Sequence, residues 1–441
     1  MNGFARPLVL AALACAAAPA ATAATLTVCP SSCVYSRIQD AIDAASPGDT
    51  VVVGSGTYVE NLVVSKPLTL RSVRHGSHPV VLPALSSPNP CGGASLCGTE
   101  SDLILVEADD VTIDGLTLDG DNPNLTSGVV AGGADLDARN GIITNHQLGR
   151  FDNLTVAHVI VRNVYLRGIY ASSGGTFDFH DDVVRNVQAD PASIAMFNYG
   201  GGGAMTDNVV LDAADAISSN HSRGVRFLRN VVERSASGVH TDNAGDGGGT
   251  ADLIQWNHVS RCTPDGYGVW VFVPYISPVV KDNLVTGCAV GLAAFGQGGA
   301  VTTSFTGNVV SGQGAATSAP STSLGVVVST DILGFGSTDV SASFAGNVIT
   351  KFSTGIYVEQ QCELYGSFFP GDCATPGQAT AQFRSNIVNG NAVGANGLPG
   401  TTVDAERNWW GCSQGPNHHG CDSAIGTVDY TPWLTRPPRP W

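Results

Sequence analysis

The sequence predicts an all-β protein built as a parallel β-helix, a solenoid of about twelve coils. Three observations lead to this fold class. A six-residue pattern, apolar-x-x-Asn-x-aliphatic, recurs along most of the chain, and a second pattern, Gly-aliphatic-x-aliphatic, follows most copies of it. No helical periodicity separates the copies. Composition agrees, because 54 of the 441 residues are Gly and only 13% are charged, which argues against a helix-rich protein.

The first pattern places an Asn, here called the marker Asn, at intervals close to one coil. Its copies run from MTDNVV (Met205 to Val210) to AERNWW (Ala405 to Trp410), with spacings of 22 to 27 residues and two of 39. Upstream coils carry Asp182, Val159 and Leu116 at the marker position. The marker residues are Asn208, Asn230, Asn257, Asn283, Asn308, Asn347, Asn386 and Asn408.

Both patterns alternate with a period of two, so each is predicted to be one strand with a buried face. A buried Asn that recurs at one turn can hydrogen-bond to its stacked neighbours and to turn backbone. We therefore expect an Asn ladder, which explains the marker without catalysis.

The chain is expected to contain four segments. Residues 1–23 are typical of a secretory signal, since Arg6 precedes an apolar run and Ala21-Thr22-Ala23 is a small-x-small cleavage site. Residues 24–50 are expected to form an N-terminal cap, 51–404 the β-helix and 405–441 a C-terminal cap. In the N-terminal cap, Ser36-Arg37-Ile38-Gln39 is a capping-box pattern. The apolar face of the short helix that follows would consist of Ile38, Ala41, Ile42 and Ala45.

The cysteines predict a disulfide framework. Without Cys15 of the signal, ten remain, an even number that suits an exported protein. Cys262 and Cys288 each lie five residues after a marker Asn, so they should stack in neighbouring coils within disulfide range. The spacings favour the pairs Cys29 with Cys33, Cys91 with Cys97, Cys262 with Cys288, Cys362 with Cys373, and Cys412 with Cys421.

The formal net charge of −16 excludes some partners. Nucleic acids and anionic membrane surfaces attract surplus Lys and Arg, which this chain lacks. Outside the signal, no apolar stretch approaches the roughly 18 residues of a spanning helix. We expect a secreted or periplasmic protein without membrane insertion, and the oligomeric state stays open.

Two segments resemble a known superfamily. Ile38 to Ser72, followed by Val111 to Gly120, is similar to the opening of pectin-lyase-like right-handed parallel β-helix proteins. Asn408 to Leu434 resembles the terminal cap of exported β-helix proteins without assigned activity. The superfamily includes pectate lyases, pectinesterases, polygalacturonases, alginate lyases and mannuronan epimerases. The resemblance implies right-handed coils and a polysaccharide partner, but the catalytic motifs of these enzymes are mostly missing.

Strand alternation predicts a row of outward-facing aromatic side chains after the second pattern. Such a row suits a sugar polymer, whose C–H faces pack on rings, although a protein partner would also fit. Alternatively, loops around Phe368 and Phe369 cover this face, and the rings are a satellite core. The substrate-binding candidates are Tyr170, Trp270, Phe272, Tyr357 and Glu359.

Candidate catalytic residues follow from the chemistry of uronate sugars. A β-elimination or epimerisation needs a base and a cation that stabilises an enolate-like intermediate. Hydrolysis instead needs two carboxyl groups. The candidate bases and cations are His240, Asp242, Asp178, Arg162 and Arg185.

Two alternatives qualify this set. Arg162 and Arg185 should stack in neighbouring coils, but Glu233 in the same column would neutralise them. No motif demands a cofactor, but calcium could bridge an acidic protein and an acidic polymer, with Asp178, Asp181 and Asp242 as oxygen ligands.

The predicted function is binding, with possible cleavage or epimerisation, of an extracellular, uronate-containing polysaccharide; whether the protein is an enzyme stays open. The alternative is a non-enzymatic surface or adhesion module that binds a protein.

Overall fold

The computed structural model describes residues 23–74, 76, 79–242, 249–272, 276–296, 301–313, 323–331, 337–360 and 376–438. Over these residues the chain is a right-handed parallel β-helix, as predicted. Each typical coil contributes one strand to each of three long sheets, named A, B and C, and neighbouring coils pair in parallel. The core fills the space between the sheets.

Sheet A contains Thr25–Val28, Thr50–Val53, Leu68–Ser72, Val111–Asp114, Leu154–Ala157, Thr176–His180, Gly202–Thr206, Arg226–Leu228, Leu253–Gln255, Val279–Lys281, Thr303–Thr306, Val340–Ala345, Ala379–Arg384, Thr402–Asp404 and Val428–Asp429. Sheet B contains Thr57–Val59, Val80–Leu82, Thr117–Asp119, Ile160–Arg162, Val183–Val187, Val209–Ala213, Val231–Glu233, His258–Ser260, Leu284–Thr286, Val309–Ser311, Val348–Thr350 and Ile387–Val388. Sheet C contains Leu62–Val64, Asp102–Val106, Ala138–Thr144, Val164–Ala171, Ile194–Tyr199, Asp215–Asn220, Ser237–Thr241, Tyr267–Phe272, Val290–Phe295, Leu324–Ser329, Thr354–Glu359, Val393–Gly397 and Ala424–Gly426. A small antiparallel pair lies apart from them, Val130–Ala131 with Ala134–Asp135.

The marker pattern is two strands and not one, so that prediction was wrong. Its first residues end a strand of sheet A, its last residues begin a strand of sheet B, and the marker Asn lies in the turn between them. The residue before the marker has a positive φ, as at Asp207 (58°), Arg229 (55°) and Gly307 (67°). A left-handed residue bends the chain sharply and so divides the pattern.

The marker side chains form the predicted ladder. The Asn230 Nδ2 donates to the Oδ1 of Asn257 at 2.9 Å and to the carbonyl of Met205 at 2.9 Å. The backbone N–H of Asn230 donates to the same Oδ1 at 3.0 Å. Equivalent bonds continue up to Asn408. Each buried amide therefore satisfies turn backbone of the preceding coil and donates to the amide oxygen of the next coil.

The N-terminal helix, Ile38–Ala44, buries the predicted apolar face on the first coils. Its predicted capping box is wrong, because the N-cap residue Arg37 makes no side-chain capping bond. Glu60 caps the helix instead, since its carboxylate accepts the N–H of Ile38 at 2.8 Å and of Gln39 at 3.0 Å. A carboxylate at a helix N-terminus satisfies free N–H groups and complements the helix dipole.

Four predicted disulfides are present: Cys29 with Cys33, Cys91 with Cys97, Cys262 with Cys288, and Cys412 with Cys421. The Cα atoms of Cys262 and Cys288 lie 4.8 Å apart in neighbouring coils. The predicted pair Cys362 with Cys373 lies outside the described residues. These bonds indicate an oxidising compartment. Across the described ranges, no helix is both long and apolar enough to cross a membrane.

Candidate functional site

The outer face of sheet C aligns the predicted aromatic row in register. Successive coils place Tyr170 beside Phe197, Phe197 beside Ser218, Ser218 beside His240, and His240 beside Trp270. The column continues to Tyr357 three coils further on. The alternation of inward-facing and outward-facing residues along each strand was therefore enough to predict which residues share this column.

Most of the column is buried. Relative exposure is 6% for Tyr170, 5% for His240 and 8% for Trp270. Tyr170 and Phe197 belong to one small apolar cluster outside sheet C, and Trp270 belongs to another that Phe272 and Tyr357 adjoin. Between the two clusters the outer face is polar. We call this region, with Asp215, Asn220 and His240, the polar centre.

His240 is held rigidly at the polar centre. Its Nε2 lies 2.8 Å from a carboxylate oxygen of Asp215 in the preceding coil. Its ring stacks on Trp270, with centroids 3.9 Å apart and planes inclined by 14°. The Trp270 indole N–H in turn donates to the Ser237 hydroxyl at 3.0 Å. Packing and hydrogen bonds thus fix the imidazole on two sides.

Four buried polar atoms of this centre make no hydrogen bond to the described residues: Asp215 Oδ1, Ser218 Oγ, Asn220 Oδ1 and His240 Nδ1. Burial alone would raise the pKa of Asp215, but the charge and hydrogen bond of His240 outweigh it and lower that pKa. The carboxylate is therefore ionised and orients the Nε2–H toward itself. Nδ1, the other ring nitrogen, makes no hydrogen bond to the described residues and is open to a ligand.

Side chains are more exposed where the strands of the polar centre end. Tyr199, in register with Asn220, is 42% exposed, and its ring lies 4.9 Å from that of His221. The Asp242 carboxylate accepts the backbone N–H of His221 at 2.6 Å. Sequence reasoning missed both Tyr199 and Asp215, because their strands IAMFNY and DAISSN lack the Gly of the second pattern.

The predicted catalytic residues are not brought together. His240 lies on sheet C, with Asp242 just past the end of its strand, whereas Asp178 lies on sheet A. Arg162 and Arg185 pair in register on sheet B. The fold therefore separates the candidate bases from the candidate cations.

Arg162 already has a partner. Its guanidinium binds the Asp119 carboxylate at 2.8 Å, so Asp119 neutralises it. Glu233, the expected partner, pairs instead with Arg234 and Arg261.

The remaining predicted ligands are also dispersed. Glu359 is fully buried. Asp178, Asp181 and Asp242 occupy sheet A, the turn after it and the end of a sheet C strand, so they do not form one calcium cage. In the described part of the chain, the group with metal-like spacing is Cys91, Cys97 and Glu100. Its two sulfurs are joined to each other, which removes them as thiolate ligands.

No family model and no curated protein sequence matches the chain. Among solved structures, the A-module of a mannuronan C-5 epimerase from Azotobacter vinelandii is 16% identical, with 91% of this chain and 95% of that one covered and a TM-score of 0.55. A DFA-IIIase from Arthrobacter chlorophenolicus is 12% identical, with 92% and 99% covered and a TM-score of 0.49. A polygalacturonase from Erwinia carotovora is 11% identical, with 95% and 99% covered and a TM-score of 0.46. The chain thus shares the right-handed parallel β-helix fold with the epimerase module.

Proposed function

We propose that the protein binds an extracellular polysaccharide at the polar centre of sheet C. The observation that carries this proposal is the set of four buried polar atoms without a hydrogen-bond partner in the described residues, on Asp215, Ser218, Asn220 and His240, beside the exposed ring of Tyr199. Buried polar groups without partners are rare, and they are found where a ligand or an ordered water completes them.

The chemistry of the unpaired atoms favours a carbohydrate. Asp215 Oδ1 and Asn220 Oδ1 accept hydrogen bonds, and the Ser218 hydroxyl can donate or accept one, so the ligand must bring hydrogen-bond donors. Sugar hydroxyl groups are such donors, and a sugar ring can pack its C–H face on Tyr199. Of the similar structures described above, the mannuronan C-5 epimerase A-module is named for a polysaccharide, which agrees with this ligand class.

The centre also holds a group that can take a proton. His240 is ordered by Trp270 and paired with an ionised Asp215, which would stabilise the imidazolium formed on proton transfer. In this proposal His240 is the base of any reaction at the site, and Asp215 is its positioning residue. We further propose that residues 1–23 direct export of the chain, which agrees with its disulfides.

Binding to a panel of polysaccharides by affinity gel electrophoresis tests the proposal. Tyr199→Ala should weaken retention by about tenfold, the loss expected for one ring contact. His240→Asn should weaken it as well. Trp256→Asn is the matched control, because Trp256 is 53% exposed but lies in the turn between sheets A and B. Retention that Tyr199→Ala and His240→Asn leave unchanged would reject this site.

A further inference from the structure

A long loop lies against the outer face of sheet C, before the strands of the polar centre. Residues 84–100, here called the disulfide loop, connect the strand Val80–Leu82 of sheet B with the strand Asp102–Val106 of sheet C. The Cys91–Cys97 disulfide lies within it. Two coils further on, the same connection is the single residue Asn163. The disulfide loop is therefore an insertion into the repeat.

Two strands of sheet C hold the disulfide loop in place. Arg139 is fully buried, and its guanidinium donates to five acceptors in the loop, among them the carbonyl of Gly92 at 2.7 Å. Asn140 Nδ2 donates to the carbonyl of Ser95 at 2.9 Å, and Arg167 Nε donates to the Ser95 hydroxyl oxygen at 3.2 Å. Moving the loop away would leave these buried groups unpaired, which is costly.

The disulfide loop covers the aromatic column on one side of the polar centre. Its Leu96 side chain forms one apolar cluster with Ile143, Tyr170 and Phe197 of the outer face, and all four side chains are buried. Phe197 is in register with Ser218 of the polar centre. The covered surface therefore begins one coil, about 4.8 Å, from the polar centre.

The column is buried on the other side of the polar centre as well. Trp270, in register with His240, is followed in the next two coils by Ala293 and Val327. These three residues belong to the second apolar cluster, and neither Ala293 nor Val327 has exposed surface. A sugar chain therefore cannot continue along the outer face of sheet C in either direction.

The polar centre is more accessible from the side, where its strands end. Tyr199 is exposed there, and its ring lies against that of the half-buried His221. Ser172 in the preceding coil and Asp242 two coils further on are buried. The exposed surface at this edge is thus short along the axis of the β-helix.

We infer that the polar centre is a pocket for the end of a polysaccharide chain, and that the rest of the chain leaves past Tyr199. This inference rests on the proposed function and narrows it from binding anywhere along a polymer to binding its terminal sugar units. An open groove would offer new contacts with every coil, about 4.8 Å apart. Buried surface on both sides leaves room for the last units of a chain.

Isothermal titration with oligosaccharides of increasing length tests the inference. The probes are the trisaccharide, hexasaccharide and dodecasaccharide of the cello-, xylo-, manno- and galacturono-series. For each series that binds, one protein molecule should bind per chain at every length. The affinity per chain should differ by less than about threefold between hexasaccharide and dodecasaccharide. Tyr199→Ala should weaken binding at every length, and Trp256→Asn should not.

Arg139→Lys tests whether the disulfide loop forms one side of the pocket. Loss of the guanidinium should loosen the loop and uncover Tyr170, which then offers a ring to further sugar units. The dodecasaccharide should gain about threefold or more in affinity relative to the trisaccharide, and Arg150→Lys should show no such gain. The series measured on the wild type decides the inference even if Arg139→Lys does not fold.

Three results would count against the inference, and each points to a different error. In the wild type, two protein molecules per dodecasaccharide, or an affinity per chain that keeps rising with length, would reject the pocket; the proposed site would stand if Tyr199→Ala still weakened binding. Equal length dependence in a folded Arg139→Lys and in Arg150→Lys would reject the disulfide loop as one side of the pocket. No binding at any length would reject the proposed function itself, and the inference with it.

Discussion

Asp182 donates its backbone N–H to the Oδ1 of Asn208 at 3.0 Å, so a carboxyl group occupies the ladder position that Asn fills in the eight coils above. Its own Oδ1 accepts the N–H of Val159 at 2.8 Å, and its Oδ2 has no hydrogen-bond partner in the described residues. Complete burial raises the pKa of Asp182 well above its usual range. Burial therefore favours the protonated form of this carboxyl group.

Asp182→Asn should stabilise the protein at neutral pH by about 1–3 kcal/mol, because the amide supplies a donor without a protonation cost. The unfolded chain releases this proton near pH 3.9, but the folded chain keeps it to higher pH. The free energy of unfolding of the wild type therefore falls as the pH rises above about 3.9. Asp182→Asn has no carboxyl group at this position, so its stability lacks this pH dependence. Denaturant unfolding at several pH values should show an advantage that shrinks toward pH 4.

The reciprocal change is the control for this prediction. Asn208→Asp places a second carboxyl in the ladder and should destabilise the protein most at neutral pH. If Asp182→Asn is no more stable than wild type at pH 7, then the carboxyl is not protonated in the folded state.

Glu60 should contribute measurably to the stability of the N-terminal cap. Glu60→Ala leaves the N–H groups of Ile38 and Gln39 without their acceptor, so we expect a loss of about 1–2 kcal/mol in unfolding free energy. Glu60→Gln keeps one acceptor and should lose less. Equal stability of Glu60→Ala and wild type in urea unfolding would show that the cap does not depend on this carboxylate.

The Cys262–Cys288 disulfide should stabilise more than Cys29–Cys33. The first closes a separation of 26 residues and the second only 4, which corresponds to about 3.5 and about 2 kcal/mol in the chain-entropy account. Paired Cys→Ser variants, measured by chemical unfolding, should fall in that order. A larger loss from the Cys29 and Cys33 pair would contradict it.

Arg139→Lys should release the disulfide loop from sheet C. A Lys ammonium has three donors and no planar fork, so it cannot serve the five acceptors that the guanidinium binds. Limited proteolysis should cut residues 84–100 faster in this variant. Arg150→Lys is the control, since Arg150 forms an exposed ion pair with Asp152; loop cleavage that is equally fast in both would reject the role of Arg139.

The sequence was sufficient for the coil repeat, the Asn ladder and the register of Cys262 with Cys288, because each depends on a local pattern repeated in every coil. It placed Tyr170, His240 and Trp270 in one column for the same reason. It did not predict that Glu60 caps the helix or that Asp215 pairs with His240. Those contacts join different coils at positions that no periodic pattern marks. The cluster around Tyr170 also includes Leu96, which lies in the loop closed by the Cys91–Cys97 disulfide and outside the repeat.

Hydroxyl-radical footprinting of the wild-type protein, with and without a saturating oligosaccharide that it binds, tests the location of the site most directly. Tyr199 and Trp256 are both accessible, and they lie on different sides of the β-helix. The ligand should lower the oxidation of Tyr199 and leave that of Trp256 unchanged. Protection of Trp256 with no change at Tyr199 would contradict a binding site at the polar centre.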